Sequence, residues 1–520
     1  MSVLQARIPF CLFLCVLGAY FAPSVFAQRA PVPQQAAEGT EPGARQTPAK
    51  VPIFKSSEQY ATYWTSEPDW DTELQLKNNL ASAPLTVTPI LRMASGREIS
   101  LTPVTIPANA SVSVRVNEGL KQRALDVLGQ PGSYGSVVFR FVSPNAMNLN
   151  ATAVPSIEGK PVAFRIHAHP AWDPTSTLRA QAPGSLEGIW WQPRSGLNDI
   201  LVINNSSNQE VRGALSLFDA GGKRWSEVRT FGPHQIERMA VSDLVKRAGL
   251  RGSYGGIALE VPNSASALDA VHLMYDEAGK FSASLEMFSR DPNATVRERT
   301  GRDERQWTTR APMLALLRPD PALGLSPQTK LQPTVFVRNT TARTLSAEIA
   351  LSWRGDSGKG QVKLPELQLA PFATHQLQIW AMQKQLGIPD DAHWALVSLS
   401  AIGSPDDLIA IASSRDCSGL YNVETKFSSG EGGHFAGGEW RTDATHNQIA
   451  AITNVGTEPT DALLTLHYNN GEKKYELEES IAPGDQMWVN LEQLAGRVCR
   501  IARVTCFPST SARSPMTCRT

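Results

Sequence analysis

The tetrapeptide Gly132-Ser-Tyr-Gly135 occurs again as Gly252-Ser-Tyr-Gly255, 120 residues further on. Around this anchor one layout runs through the chain four times. It comprises an aromatic lead-in (clear in three copies), a strand ending in Asn, a Pro-led strand and a short helix-like stretch. A period of this size marks an array of like domains. With 520 residues the chain is also longer than one hydrophobic core serves.

The copies align on Asn78, Asn204, Asn339 and Asn454, read as the ends of the first conspicuous strand. Pro107, Pro233, Pro371 and Pro483 follow them by 29, 29, 32 and 29 residues. Trp64, Trp191 and Trp440 precede the Asn by 14, 13 and 14 residues, in a chain with 12 Trp. Within a copy the period is two. Val112, Val114 and Val116 alternate with Ser111, Ser113 and Arg115, and Leu464 and Leu466 with Thr465 and His467. Alternation buries one strand face and wets the other. Ala94-Ser95-Gly96, Ala220-Gly221-Gly222 and Asn469-Asn470-Gly471 read as turns, the last a hairpin because Asn and Gly tolerate positive φ.

In the first copy this reading gives seven strands, near 73–78, 85–91, 97–103, 111–116, 136–142, 148–154 and 162–168. A short helix follows the fourth, with Asn117, Ser242 and Asp243 as expected N-caps. The fold class is therefore all-β: tandem immunoglobulin-like β-sandwich repeats, three complete and one partial, each with a short helix. The expected repeats span 53–170, 187–290, 311–428 and 434–496, strung into an elongated array. Linkers fall at 171–186, at the charge-dense 290–310 and at the Gly-rich 428–438. From Arg497 the pattern stops, and 497–520 is an aberrant or disordered tail with three Cys.

Residues 1–27 read as a signal peptide: Arg7, then the apolar run from Ile8 to Ala22, then Val25-Phe26-Ala27 with cleavage after Ala27. The run is shorter than the roughly 20 residues a membrane span needs. Residues 28–52, rich in Pro, Ala and Gln, form a tether too polar to order itself. Lys and Arg (49) balance Asp and Glu (49), so no long-range field favours nucleic acid. Loss of Cys11 and Cys15 with the signal leaves Cys417, Cys499, Cys506 and Cys518, too few for a disulfide scaffold.

Trp70-Asp-Thr-Glu-Leu-Gln-Leu-Lys-Asn-Asn79 and Gly132-Ser-Tyr-Gly-Ser-Val-Val138 resemble elements of large secreted bacterial proteins that carry tandem Ig-like repeats. The resemblance covers residues 55–496. It implies β-sandwiches and an exported location, and it brings no catalytic residues.

The sequence carries no Gly-x-Ser-x-Gly, His-Glu-x-x-His or Walker loop. Gly355-Asp-Ser-Gly-Lys-Gly360 lacks the Gly-Lys-Ser/Thr ending of a phosphate loop and reads as a hairpin turn. Arg354-Gly-Asp356 within it is too short to be specific. His167-x-His169 places two imidazoles on one strand face, with no third ligand at metal spacing. Asp390-Asp391 and Asp406-Asp407 each follow a Pro and read as solvated turns. Trp190 and Trp191 are the candidate binding residues, because one ring of an adjacent pair on a strand faces out unless packing claims both. Repetition of the Trp favours packing. No catalytic or metal site and no cofactor are expected. The expected protein is an exported, non-catalytic binding or structural protein of the cell surface or extracellular space. Its partner is left open between a surface protein and a polysaccharide. Two alternatives stand beside this: the front of a longer protein truncated near 497, and an accessory carbohydrate-binding protein.

Overall fold

The computed structural model describes residues 11–15, 55–170 except 161, 183–192, 197–290 except 264–266 and 277–281, 306–416 except 324, 327 and 404, 422–426 and 446–494. These form an all-β molecule of packed, mainly antiparallel sheets. The second unit shows the plan. Its first seven strands are Gly184–Trp191, Leu197–Asn205, Val211–Asp219, Arg224–Phe231, Ile236–Ala240, Tyr254–Val261 and Leu268–Asp276, and Ser282–Glu286 and Phe288–Arg290 follow as edge strands on the seventh and the first. The helix Val241–Ala248 joins the fifth strand to the sixth. One sheet runs fourth-third-sixth-first and the other fifth-second-seventh, every pairing antiparallel.

The first and third units repeat that order with strands of their own. In an immunoglobulin constant-type sandwich the sixth strand pairs with the seventh. Here the sixth pairs with the first, and the seventh lies beside the second in the other sheet. The two packed layers are those of an Ig-like sandwich, while the strands are paired differently within them.

Edge strands keep the two-residue period. Arg224–Phe231 alternates exposed and half-buried positions before ending on buried Phe231. Central strands lose it: Ile257, Ala258 and Leu259 are all buried, because the sixth strand is covered on both faces. Leu201, Ile203, Leu215, Leu217, Phe231 and Leu259 fill the interior, and the helix closes one end with Val241, Leu244 and Val245.

Three expectations are revised. Lys55–Thr65, absent from the expected seven, is the first strand of the first unit, and the stretch 162–168 contributes only the two-residue strand Ile166–His167. Both eight-residue helices start on a buried valine, Val116 or Val241, with no side-chain cap from their own sequence. Asn117 and Ser242 thus lie within the first turn. In the first unit Asp71, on the second strand, accepts the Asn117 N–H at 3.0 Å and supplies the missing cap from across the fold. The units also do not string out, because Gly471 of the fourth packs on the Ala108 carbonyl of the first.

The described part of the fourth unit has four strands, His446–Thr453, Thr460–Tyr468, Lys473–Ile481 and Gln486–Asn490, around buried Ala450, Ile481, Met487, Val489, Leu491 and Leu494. Gln486–Asn490 lies on one edge of His446–Thr453. Cys11–Cys15 runs parallel on the other edge, Cys11 opposite His446 and Cys15 opposite Ala450. That edge belongs to the seventh strand in the complete units. The rest of the expected signal peptide, the tether, Trp440, most of the linkers, the four remaining Cys and the tail lie outside the described residues.

Candidate functional site

The repeated residues hold the sandwiches together. The Asn78 amide donates to the carbonyls of Ala83, Ile106 and Pro107 at 2.8, 3.1 and 3.0 Å. Asn205 does the same to Gln209, Phe231 and Gly232 at 2.7, 3.1 and 2.9 Å, and Asn339 to Arg343, Leu369 and Ala370 at 2.6, 3.3 and 2.9 Å. Asn454 reaches Glu458 and Ile481. In every unit the Asn Oδ1 accepts the N–H two residues on. The repeating position in the second unit is therefore Asn205, one residue after the Asn204 of the sequence alignment. The Trp shifts likewise, since Trp190 faces Gly255 as Trp64 faces Gly135. The glycine is required there: a Cβ on Gly255 would lie 2.0 Å from the Phe218 carbonyl oxygen and 2.7 Å from the Trp190 indole nitrogen.

Charged and aromatic side chains gather instead where units meet. Between the first and second, Arg238 donates to Glu67 at 2.6 and 3.1 Å and to the Tyr63 hydroxyl at 3.0 Å, with its guanidinium 4.1 Å from the Tyr134 ring centre. Burial works against the Glu67 charge, but donation from Arg238 and the Gly132 N–H outweighs it and holds the carboxyl below its usual range. Trp70 stacks on Phe164 at 6.0 Å, and Tyr275 meets Trp70 edge-on at 5.6 Å. A cleft of about 250 Å³ remains among these groups.

Between the second and third units the contacts are more deeply buried. Arg338, fully buried, donates to Glu187 at 2.5 Å and to the carbonyls of Gly188 and Ile257 at 3.2 and 3.0 Å. Phe336 meets Trp191 at 5.5 Å and Tyr254 at 5.8 Å. Phe218 stacks on Phe372 at 5.2 Å.

The third and fourth units enclose the larger cleft, about 440 Å³, lined by Asp320, Arg354, Asp356, His393, Glu479 and Asp485 among others. His393 Nε2 lies 2.9 Å from Asp356, Arg318 lies 3.5 Å from the same carboxylate, and Arg354 pairs with Asp485. Among the described residues His393 pairs with Asp356 and its Nδ1 has no hydrogen-bond partner.

The sequence candidates fall as follows. Trp190 is fully buried, its Nε1 donating to the Phe218 carbonyl at 2.9 Å. Trp191 is 5% exposed, sandwiched between Phe336 and the Arg415 guanidinium, 4.6 Å above its ring. Neither ring faces solvent. His167 and His169 do not share a strand face, because the chain crosses sheets at Ala168. His167 pairs opposite Thr152, and His169 opposite Tyr60 in the other sheet. Among the described residues no group of three metal-ligating side chains occurs. Asp407, expected in solvent, is nearly buried and salt-bridged by Arg343 at 2.6 Å and Arg290 at 3.5 Å. Asp391 accepts from Ser357 across the 355–358 hairpin. Both charges of Arg354-Gly-Asp356 are engaged by Asp485 and His393.

The junction residues Glu67, Glu187, Arg238 and Arg338 escaped sequence reasoning. One trace existed. Gly256 stands where the first unit has Ser136, and a Cβ there would lie 2.0 Å from Arg338 Nε.

No protein-family model and no curated protein matches the chain. Among solved structures it is similar to a tetra-tandem repeat in the extending region of a large adhesion protein. The two are 12% identical, over 80% of this chain and 85% of that one, with a TM-score of 0.09. Among the described residues no helix is long and apolar enough to cross a membrane.

Proposed function

We propose that the chain is an exported, non-catalytic protein whose tandem sandwiches form a stiff scaffold that presents loops and edges to a partner at the cell surface. The observation that carries this reading is the use of its chemistry-bearing side chains. Arg338–Glu187, Arg238–Glu67 and Arg354–Asp485 each bind one unit to the next. These ion pairs, of which Arg338–Glu187 is almost wholly buried, and the ring stacks tie each unit to the next, which suits a scaffold. Export rests on residues 1–27 and on the resemblance to secreted repeat proteins, and cleavage after Ala27 takes the Cys11–Cys15 strand off the edge of His446–Thr453. Two experiments test the proposal. N-terminal sequencing of protein recovered from the envelope or medium should begin at Gln28, and a panel of ester, peptide, phosphate and glycoside substrates should show no turnover. Retention in the cytoplasm or steady turnover overturns it.

A second reading has an observation of its own. The third–fourth cleft combines Trp394 and Trp488 with Asp320, Arg354, Glu479 and Asp485, a set that suits a polar, ring-shaped ligand such as a saccharide. Binding on a glycan array that drops in Glu479→Gln supports it, and an empty array removes it.

A further inference from the structure

Each junction sets the third-strand hairpin of one unit against the Pro-led turn of the next. At the first, Arg92 lies 3.0 Å from His234. At the second, Gly222 presses on the turn Pro371-Phe372-Ala373, and Thr374 N–H donates to the Ala220 carbonyl at 3.0 Å. At the third, Arg354 pairs with Asp485. The first and fourth units then meet through Gly471 and the turn Ala108-Asn109-Ala110.

The two glycine contacts share one geometry. Phe372 and Asn109 are both left-handed, with φ of 59° and 58°. A Cβ on Gly222 would lie 2.1 Å from the oxygen before Phe372 and 3.1 Å from the nitrogen after it. On Gly471 it would lie 2.2 Å from the oxygen before Asn109 and 2.8 Å from the nitrogen after it. Arginine, glycine, arginine, glycine is the order around the molecule, and the last contact keeps step with the alternation.

We propose that the Gly471 hairpin closes the four units head to tail into a ring within one chain, so that the first unit's turn is occupied and refuses the hairpin of a second copy. A head-to-tail contact forms a ring when its rotation closes and an open filament when it does not. Covalent connection favours closure, because the contact is then made within one chain and not between two. The side chains around this contact are near neighbours: burial, then the charges of Lys77 of the first unit and of Lys474, opposite His467 on the fourth unit's hairpin, lower the His467 pKa.

Those two lysines supply the test without any mutation. Natural-isotope and fully ¹⁵N-labelled protein are mixed in equal parts, treated with a short lysine-reactive cross-linker and digested for mass spectrometry. A within-unit pair, Lys359 with Lys363, serves as the positive control. The expected result is a Lys77–Lys474 linked peptide in light–light and heavy–heavy forms only. Absence of that peptide while the control links overturns the ring. Mixed-isotope forms at statistical abundance also overturn it, since the contact would then join two copies.

Discussion

Arg338, on the third unit's second strand, donates to Glu187, on the second unit's first strand, at 2.5 Å with both side chains almost wholly buried. The pair lies 151 residues apart in sequence and joins two sandwiches. Its energetics are asymmetric. Removal of one partner leaves a buried, uncompensated charge, which costs about 3–5 kcal/mol, whereas replacement of both by apolar groups of like volume is often neutral.

Arg338→Met should therefore lower the stability of the second and third units by about 3 kcal/mol, and Arg338→Met/Glu187→Leu should restore most of it. Scanning calorimetry resolves this, since a multi-domain chain unfolds in separable transitions. A double variant as unstable as the single one contradicts the assignment.

Asn205 should outweigh Asn204. Asn205 feeds three carbonyls and receives the Ser207 N–H at 3.0 Å. Each carbonyl left buried and unpaired costs about 1–3 kcal/mol, so Asn205→Ala should lose about 3 kcal/mol after partial relaxation. Asn339→Ala should match it in the third unit, where the same bonds occur. Urea unfolding of Asn204→Ala, Asn205→Ala and Asn339→Ala gives the ranking, and a larger loss at Asn204 would refute the register.

That register shows what sequence supports and where it stops. The Asn-to-Pro spacing is local chemistry, with a side chain that closes a loop on itself, so it survives as a repeat and marks the strands. Asn204-Asn205 and Trp190-Trp191 are doublets, and spacing cannot choose within a doublet; only the ladder that sets Trp190 opposite Gly255 does so. The first strand, Lys55–Thr65, hides because polar Gln59 is buried in it, its amide donating to the Ala146 and Leu149 carbonyls at 2.7 and 2.8 Å. The junctions left almost no signal. The hairpins and Pro-led turns that meet there do repeat, but the ion-pair partners Arg238–Glu67 and Arg338–Glu187 come from different repeats, so a period cannot match one to the other.

The Arg92–His234 contact makes the first junction sensitive to acid. Burial, then Arg92, lowers the His234 pKa from 6.5. The unfolded chain then binds a proton more readily than the folded one, so stability falls as pH drops. The contribution is complete above about pH 6.5 and fades below it. His375, depressed by burial, and His467 behave alike, so the difference from His234→Asn isolates this group. The thermal midpoint of the natural chain should fall more steeply between neutral pH and pH 5 than that of the variant. Parallel curves would show that His234 titrates as a free side chain.

Gly255 and Gly96 separate close approach from backbone freedom. Gly96 has φ +85° and open space around its missing Cβ, so Gly96→Ala should cost only the left-handed strain, about 1 kcal/mol. Gly255 has no positive φ, yet a Cβ there would meet the Phe218 carbonyl at 2.0 Å and the Trp190 indole at 2.7 Å. The third and sixth strands would have to part, and with them the Trp190 Nε1 bond to Phe218. Gly255→Ala should therefore cost about 3 kcal/mol, the upper range for overpacking a core. It should also raise the exposure of Trp190, read as a red shift of indole fluorescence before global unfolding. Gly255→Ala as mild as Gly96→Ala, with unshifted fluorescence, would mean that the repeated glycine answers to something other than the indole beside it.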